Sequence, residues 1–66
     1  MLFRSHQKIN EFELIQVMDD LRERGYSGYR IRPGNRCVWV SVPSGSFSLD
    51  MYYYFKNGRI VNVEID

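Results

Sequence analysis

Apolar positions in the first third of the chain recur at the spacing of a helix. Between residues 9 and 25 they fall every three or four residues, the pattern of an amphipathic helix, and they comprise Phe12, Leu14, Ile15, Met18 and Leu21. Asn10 fits the N-cap position, with Glu13 three residues later as its capping-box partner and Ile9 with Leu14 as a hydrophobic staple. Gly25 supplies the left-handed residue that commonly follows a helix. One helix is therefore predicted at the N-terminal end.

From Tyr26 onward the apolar pattern changes to alternation with a period of two, which is typical of strands. Turn residues interrupt it at 33–35, 43–46 and 57–58 and divide it into four strands, at about 28–33, 36–42, 47–55 and 59–65. The connections are too short for crossovers, so neighbouring strands pair antiparallel. The predicted fold is α+β: one helix packed on one face of a four-stranded antiparallel meander, in the order αββββ.

The alternation assigns a face to each side chain. In the second strand Val38, Val40 and Val42 point to the helix. The inward residues of the last two strands are predicted to be Phe47, Leu49, Met51, Tyr53 and Phe55, then Val61, Val63 and Ile65. Because only one helix is available, the opposite face of the sheet is predicted to stay open.

Turn chemistry sets the register of each hairpin. A two-residue turn at Gly34–Asn35 places Ile31 opposite Val38. In the last hairpin a two-residue loop would put Tyr53 and Val61 on opposite faces, so a three-residue loop at 56–58 with Gly58 left-handed is favoured. This loop places Tyr53 opposite Val61 and turns Ile60 toward the open face.

The open face then carries the only Trp, two Tyr and two Arg of the strands. Aromatic and arginine side chains are the commonest anchors of protein interfaces, and an exposed patch of them indicates an interaction site. The predicted partner-binding residues are Arg30, Arg32, Trp39, Tyr52, Tyr54, Ile60 and Asn62.

Charge narrows the kind of partner. Nine basic residues stand against eight acidic ones, a net charge of +1, which does not call for a nucleic acid or an anionic membrane. Seven of the nine are Arg, whose planar group binds carboxylates or phosphates. Asp50 and Glu64 share the open face and would repel phosphates. A protein partner is favoured, with single-stranded RNA or DNA on the same face as the alternative.

A second copy of the chain is a further alternative. A twofold axis could set Arg30 and Arg32 over Asp50 and Glu64 of the other copy. Either edge strand could also pair with a partner strand. The N-terminal segment at 1–8 is predicted either to be flexible or to cover one of these edges through Leu2 and Phe3.

Catalytic chemistry is not indicated. His6 is the only histidine and Cys37 the only cysteine, so neither a nucleophile with a scaffolded base nor a cysteine metal motif is present. Asp19 and Asp20 are interpreted as solvated charge, and Cys37 as a small residue filling space between rings.

The sequence thus predicts one domain over 1–66 that is not an enzyme and needs no cofactor or metal. With no apolar stretch long enough for a membrane span or signal peptide, and no disulfide, it is predicted to be cytoplasmic. Its size alone is analogous to accessory or inhibitor proteins of phage and mobile elements.

Overall fold

The computed structural model of the chain describes residues 9–34 and 36–66. One helix, α1 (Glu11–Glu23), precedes four strands, β1 (Arg30–Pro33), β2 (Cys37–Ser44), β3 (Phe47–Lys56) and β4 (Arg59–Ile65). The strands form one antiparallel sheet in the order β1-β2-β3-β4. The predicted αββββ architecture is confirmed. The predicted segment at 1–8 and Asn35 lie outside the described residues.

Both ends of α1 form as their residues predict. The side chain of Asn10 accepts a hydrogen bond from the amide of Phe12 at 2.8 Å, which satisfies one of the free donors at the helix start. At the other end Gly25 has φ 83°, and the amide of Tyr26 donates to the carbonyl of Leu21 at 2.9 Å. This 6→1 bond is the Schellman arrangement that a left-handed glycine allows.

The helix buries Leu21 as predicted, but the rest of its buried stripe differs from the prediction. Val17 and Leu21 are fully buried, whereas Phe12, Ile15 and Met18 are exposed by 75%, 55% and 43%. Two polar side chains on the buried flank explain this rotation. Gln16 bonds to the backbone of the last hairpin, and Asp20 accepts the hydroxyl of Tyr53 at 2.6 Å. The spacing of apolar residues gives no information about these bonds. Because its carboxylate binds the Tyr53 hydroxyl, Asp20 is not the solvated charge that was predicted.

The core lies between α1 and the inner face of the sheet. It comprises Val17, Leu21, Val38, Val40, Val42, Met51 and Tyr53. Phe47 was predicted to join it but is 78% exposed, because it pairs with Ser44 beside the β2–β3 turn. Ile65 faces the core side opposite Met51 yet stays 50% exposed.

The first hairpin is offset by two residues from the predicted register. Ile31 lies opposite Val40, and the Gly34 amide donates to the Cys37 carbonyl at 2.8 Å, so the turn falls one residue later than predicted. Arg36 takes the left-handed conformation there, with φ 62°. Because faces alternate with a period of two, this shift leaves every side chain on its predicted face.

The last hairpin corrects the predicted loop. Asn57 and Gly58 both have positive φ, 55° and 78°, as a two-residue type I′ turn requires, and Lys56 lies opposite Arg59. The extra residue is in the strand instead: Phe55 pairs with Ile60 and Tyr54 with Asn62, which leaves Val61 without a partner. The Asn-Gly turn and the apolar pattern are reconciled by a β-bulge in β4.

The bulge also changes the place of Ile60. The sequence predicted this residue on the open face, but it lies opposite Phe55 and packs against the core. Val61, predicted to be inward, is 60% exposed, whereas Val63 packs against the core opposite Tyr53.

Candidate interaction face of the sheet

One row of side chains crosses the open face with one residue from each strand. Arg32 lies opposite Trp39, Trp39 opposite Tyr52, and Tyr52 opposite Glu64. The sequence predicted these residues on this face but in different rows, with Trp39 between Arg30 and Asp50, because all three registers of the sheet differ from the predicted ones by two residues. The rigid sheet thus lines up a cation, two rings and a carboxylate.

The aromatic pair of this row is stacked. The ring centroids of Trp39 and Tyr52 are 6.4 Å apart, with an angle of 15° between the ring planes. The guanidinium carbon of Arg32 lies 5.8 Å from the Trp39 ring centroid, within the range of a cation–π contact. Since Arg32 and Tyr52 come from the strands on either side of β2, the Trp39 ring is flanked on both sides.

Two further rows adjoin this one. In the first, Arg30 lies opposite Ser41 and Ser41 opposite Asp50; the Trp39 indole donates to Asp50 Oδ1 at 3.4 Å. In the second, Cys37 lies opposite Tyr54 and Tyr54 opposite Asn62. The Tyr54 hydroxyl donates to Glu64 Oε1 at 3.1 Å. The rings are therefore tied to acidic neighbours and are half-buried rather than fully exposed.

Charge is sorted along the two rows that begin at Arg30 and Arg32. The two arginines come from β1, whereas the carboxylates of Asp50 and Glu64 come from β3 and β4. The rings of Trp39 and Tyr52 separate the two signs. A partner that complements this face must present an anion over β1 and a donor or cation over β4.

A shallow cavity lies at the basic end. Its volume is about 160 Å³, and its walls are Arg30, Arg32, Trp39 and Ser41. Two guanidinium groups, a hydroxyl and a ring edge around a space of this size suit a carboxylate side chain. Ser41 was not among the predicted site residues, because the predicted register placed Trp39, not Ser41, opposite Arg30.

Both outward tyrosines remain neutral donors under ordinary conditions. The hydrogen bond to Glu64, followed by partial burial, raises the pKa of Tyr54. Partial burial, followed by the charges of Asp50 and Asp66, raises the pKa of Tyr52. In both cases the negative charge of phenolate is disfavoured beside carboxylates.

Cys37 lies at the end of the face, opposite Tyr54. Burial, with a smaller effect from the charge of Glu64, raises the pKa of its thiol. A raised pKa keeps the sulfur protonated, so the structure gives Cys37 no activation as a nucleophile. Its contact with Gly34 points to a packing role.

A second cavity, of about 420 Å³, opens between the start of α1 and the first hairpin. Its walls include Ile9, Glu13, Cys37, Val38 and Phe55. Among the described residues Cys37 is its only nucleophile, and the thiol is kept protonated.

Six of the seven predicted partner-binding residues share the open face. They are Arg30, Arg32, Trp39, Tyr52, Tyr54 and Asn62, and Ile60 is the exception. Within residues 9–34 and 36–66 no group of three or more metal-ligating side chains comes together. Over the same residues no helix has the length and apolar character needed to cross a membrane.

Comparison with known proteins finds no matching family model, no matching curated protein and no matching solved structure.

Proposed function

We propose that this chain is a non-enzymatic cytoplasmic binding module that captures a protein partner on the open face of its sheet. The row Arg32–Trp39–Tyr52–Glu64 carries the proposal. It presents ring edges and both signs of charge from rigid strands, the composition of a protein interface with aromatic anchors. Trp39, Tyr52 and Tyr54 act as anchors, and Arg30 and Arg32 orient the partner.

The stacking of the row favours protein over single-stranded nucleic acid. A platform for splayed bases needs free ring faces on which a base can stack. Here Arg32 and Tyr52 already flank the Trp39 ring, so its edge rather than its face is presented. Asp50 and Glu64 also oppose a phosphate backbone. Both observations support a partner that contacts ring edges and pairs with charges of both signs.

The cavity at the basic end supports a more specific partner chemistry. Arg30 and Arg32 line it together with the Ser41 side chain, and no acidic residue is among its walls. A carboxylate of the partner would replace solvent there with charge-assisted hydrogen bonds. The partner segment is therefore proposed to carry an Asp or Glu directly beside an apolar residue that covers the Trp39 edge.

Capture of a partner from nuclease-treated lysate, followed by mass spectrometry, tests this function. We expect a protein to be retained by the wild-type chain and lost with Trp39→Ala and with Tyr52→Ala. Each substitution removes one ring of a half-buried stack and should cost the fold only about 1 kcal/mol, so the thermal melt should shift little.

Two matched controls keep this test specific. Phe47→Ala removes an aromatic ring that is 78% exposed at the β2–β3 turn, and Arg22→Ala removes an exposed arginine on α1. Both should keep the partner. The proposal would be contradicted if Trp39→Ala still retained the partner. It would also be contradicted if a parallel capture from untreated lysate recovered nucleic acid and no protein.

A further inference from the structure

We propose that the protein partner of the open face is a second copy of this chain. The two sheets pack face to face about a twofold axis that runs parallel to the strands, between β2 and β3. This inference rests on the proposed function, because it names the partner of that same face. The dimer is a sandwich of two sheets, with α1 of each copy on the outside.

The order of side chains in the row from Arg32 to Glu64 makes the open face complementary to itself. The row presents a cation, two rings and a carboxylate, with one residue from each strand. A twofold axis through its midpoint sets β1 over β4, and β2 over β3, of the other copy. Arg32 then faces Glu64, and Trp39 faces Tyr52, twice each. A closed twofold contact needs such a pattern, because each patch must fit its own copy.

The adjacent row follows the same order. It begins at Arg30, passes through Ser41 and Asp50, and ends at Asp66, whose amide donates to the Asp50 carbonyl at 2.8 Å. The same axis sets Arg30 over Asp66, and Ser41 over Asp50, of the other copy. Asp50 Oδ1 already accepts the Trp39 indole at 3.4 Å, and the facing Ser41 hydroxyl can donate to the same carboxylate. A carboxylate that is withdrawn from water needs such donors.

Charge selects this axis over the other twofold alignment of two facing sheets. An axis that runs across the strands would set β1 over β1, and therefore the arginines of one copy over those of the other. It would also set Glu64 over Glu64. Like charges that face each other across an interface are strongly unfavourable. The axis parallel to the strands avoids both repulsions and replaces them with attractions.

The cavity at the basic end receives Glu64 of the other copy. It has a volume of about 160 Å³ and is lined by Arg30, Arg32, Trp39 and Ser41. The Tyr54 hydroxyl donates to Glu64 Oε1 at 3.1 Å, which positions the carboxylate on its own sheet. A carboxylate accepts several hydrogen bonds, so the same group can also bind a guanidinium. The ring of Tyr52, beside Glu64, is then the apolar neighbour that covers the edge of Trp39.

Sedimentation equilibrium of the full chain over a range of concentrations tests the dimer. We expect the wild type to approach twice the monomer mass of 7.9 kDa. Trp39→Ala removes a central ring from both copies of the interface. It should raise the dimer dissociation constant by about a hundredfold, roughly tenfold for each copy of the ring.

A charge exchange tests the alignment of the two copies. Arg32→Glu sets a carboxylate over Glu64 of the other copy, and Glu64→Arg sets a guanidinium over Arg32. Each variant alone should raise the dissociation constant by about tenfold or more, because two attractive pairs become repulsive. An equimolar mixture of the two variants should associate within about threefold of the wild type, since the facing charges are opposite again. Recovery in the mixture also shows that both variants fold.

Arg22→Glu is the matched control. It makes the same change of charge on α1, behind the sheet, where the Arg22 side chain is 83% exposed, and this variant should remain dimeric. A monomeric wild type would overturn the inference. So would a dimer that Trp39→Ala and Arg32→Glu leave intact, or a mixture of the two charge variants that does not recover.

These results are distinguishable from a failure of the proposed function. A monomeric wild type that still captures a different protein, and loses it with Trp39→Ala, would show that only the second copy is wrong as the partner. A captured protein that Trp39→Ala retains would contradict the proposed function itself. A dimer that Trp39→Ala dissociates supports both.

Discussion

Tyr53 shows how a polar group can sit at the centre of a small core. The residue is fully buried, yet its hydroxyl reaches Asp20, whose carboxylate also accepts the Nε donor of Arg24 at 2.6 Å. One carboxylate thus ties the helix to the sheet and satisfies the tyrosine. Burial, and then the bond to Asp20, raises the pKa of Tyr53 well above its ordinary value near 10.

This raised pKa predicts alkaline sensitivity. Tyr53 loses its proton at a lower pH in the unfolded chain than in the folded chain. The stability linked to this group is therefore fully present below about pH 10 and is lost as the pH rises toward the pKa of the folded state. Tyr53→Phe should cost about 1–3 kcal/mol at neutral pH through the lost bond to a charged group. It should also flatten the fall in stability above pH 10.

Urea unfolding across the alkaline range measures both effects, and spectroscopic titration of tyrosinate follows the group itself. The tyrosine that ionises at the highest pH should be missing from the titration of Tyr53→Phe. An unchanged alkaline slope would show that other groups dominate the loss.

At the scale of elements, two hairpins depend on glycine for different reasons. Gly34 does not have a positive φ, but a Cβ there would lie 2.7 Å from the sulfur of Cys37. Gly58 has φ 78°, with open space around it. The first hairpin therefore needs a missing side chain, whereas the last needs a left-handed backbone.

A double-mutant cycle separates these two causes. Gly34→Ala should destabilise the fold by about 1–3 kcal/mol through overpacking, and adding Cys37→Ala should recover much of that loss. Gly58→Ala should cost about 1 kcal/mol or more through its conformation, and Cys37→Ala should not relieve it. Thermal unfolding of the wild type, the three single variants and the two double variants measures the coupling of Cys37 to each glycine. Equal relief at both glycines would contradict the steric explanation.

These elements also show what the sequence could predict. The caps of α1 and the faces of the strands depend on local patterns, so the prediction put Arg32, Trp39 and Tyr52 on the open face. The pairing of rows could not be predicted, since a shift of two residues preserves every face. The rotation of α1 could not be predicted either, because it accompanies bonds of Gln16 and Asp20 to residues that are distant in sequence.

At the scale of the whole molecule, the small net charge does not reveal that basic and acidic side chains are separated in space. The total is +1, but the rows that begin at Arg30 and Arg32 run from arginines on β1 to carboxylates on β3 and β4, while Lys56 and Arg59 lie apart from them beside the last turn. Such a face is dipolar rather than basic. It favours orientation of a partner over general attraction to polyanions.

Salt dependence should therefore be modest. A protein partner with one carboxylate between Arg30 and Arg32 should lose less than about tenfold in affinity between roughly 50 and 200 mM salt. A chain that neutralises six to ten phosphates would lose about 10³–10⁵ over that range. Titration calorimetry with the captured partner at several salt concentrations distinguishes the two, and a steep slope would point to nucleic acid.

The contact of Gln16 with the last hairpin has a consequence for how the chain acquires its structure. Its side-chain bonds to Gly58 and Ile60 span 42 and 44 residues. During synthesis α1 emerges before the four strands, but a free helix of 13 residues is marginal in water. The last hairpin, which Gln16 binds, and Tyr53, which binds Asp20, are synthesised later. The contacts that stabilise α1 therefore form only after the strands that follow it, and its folding awaits the final hairpin.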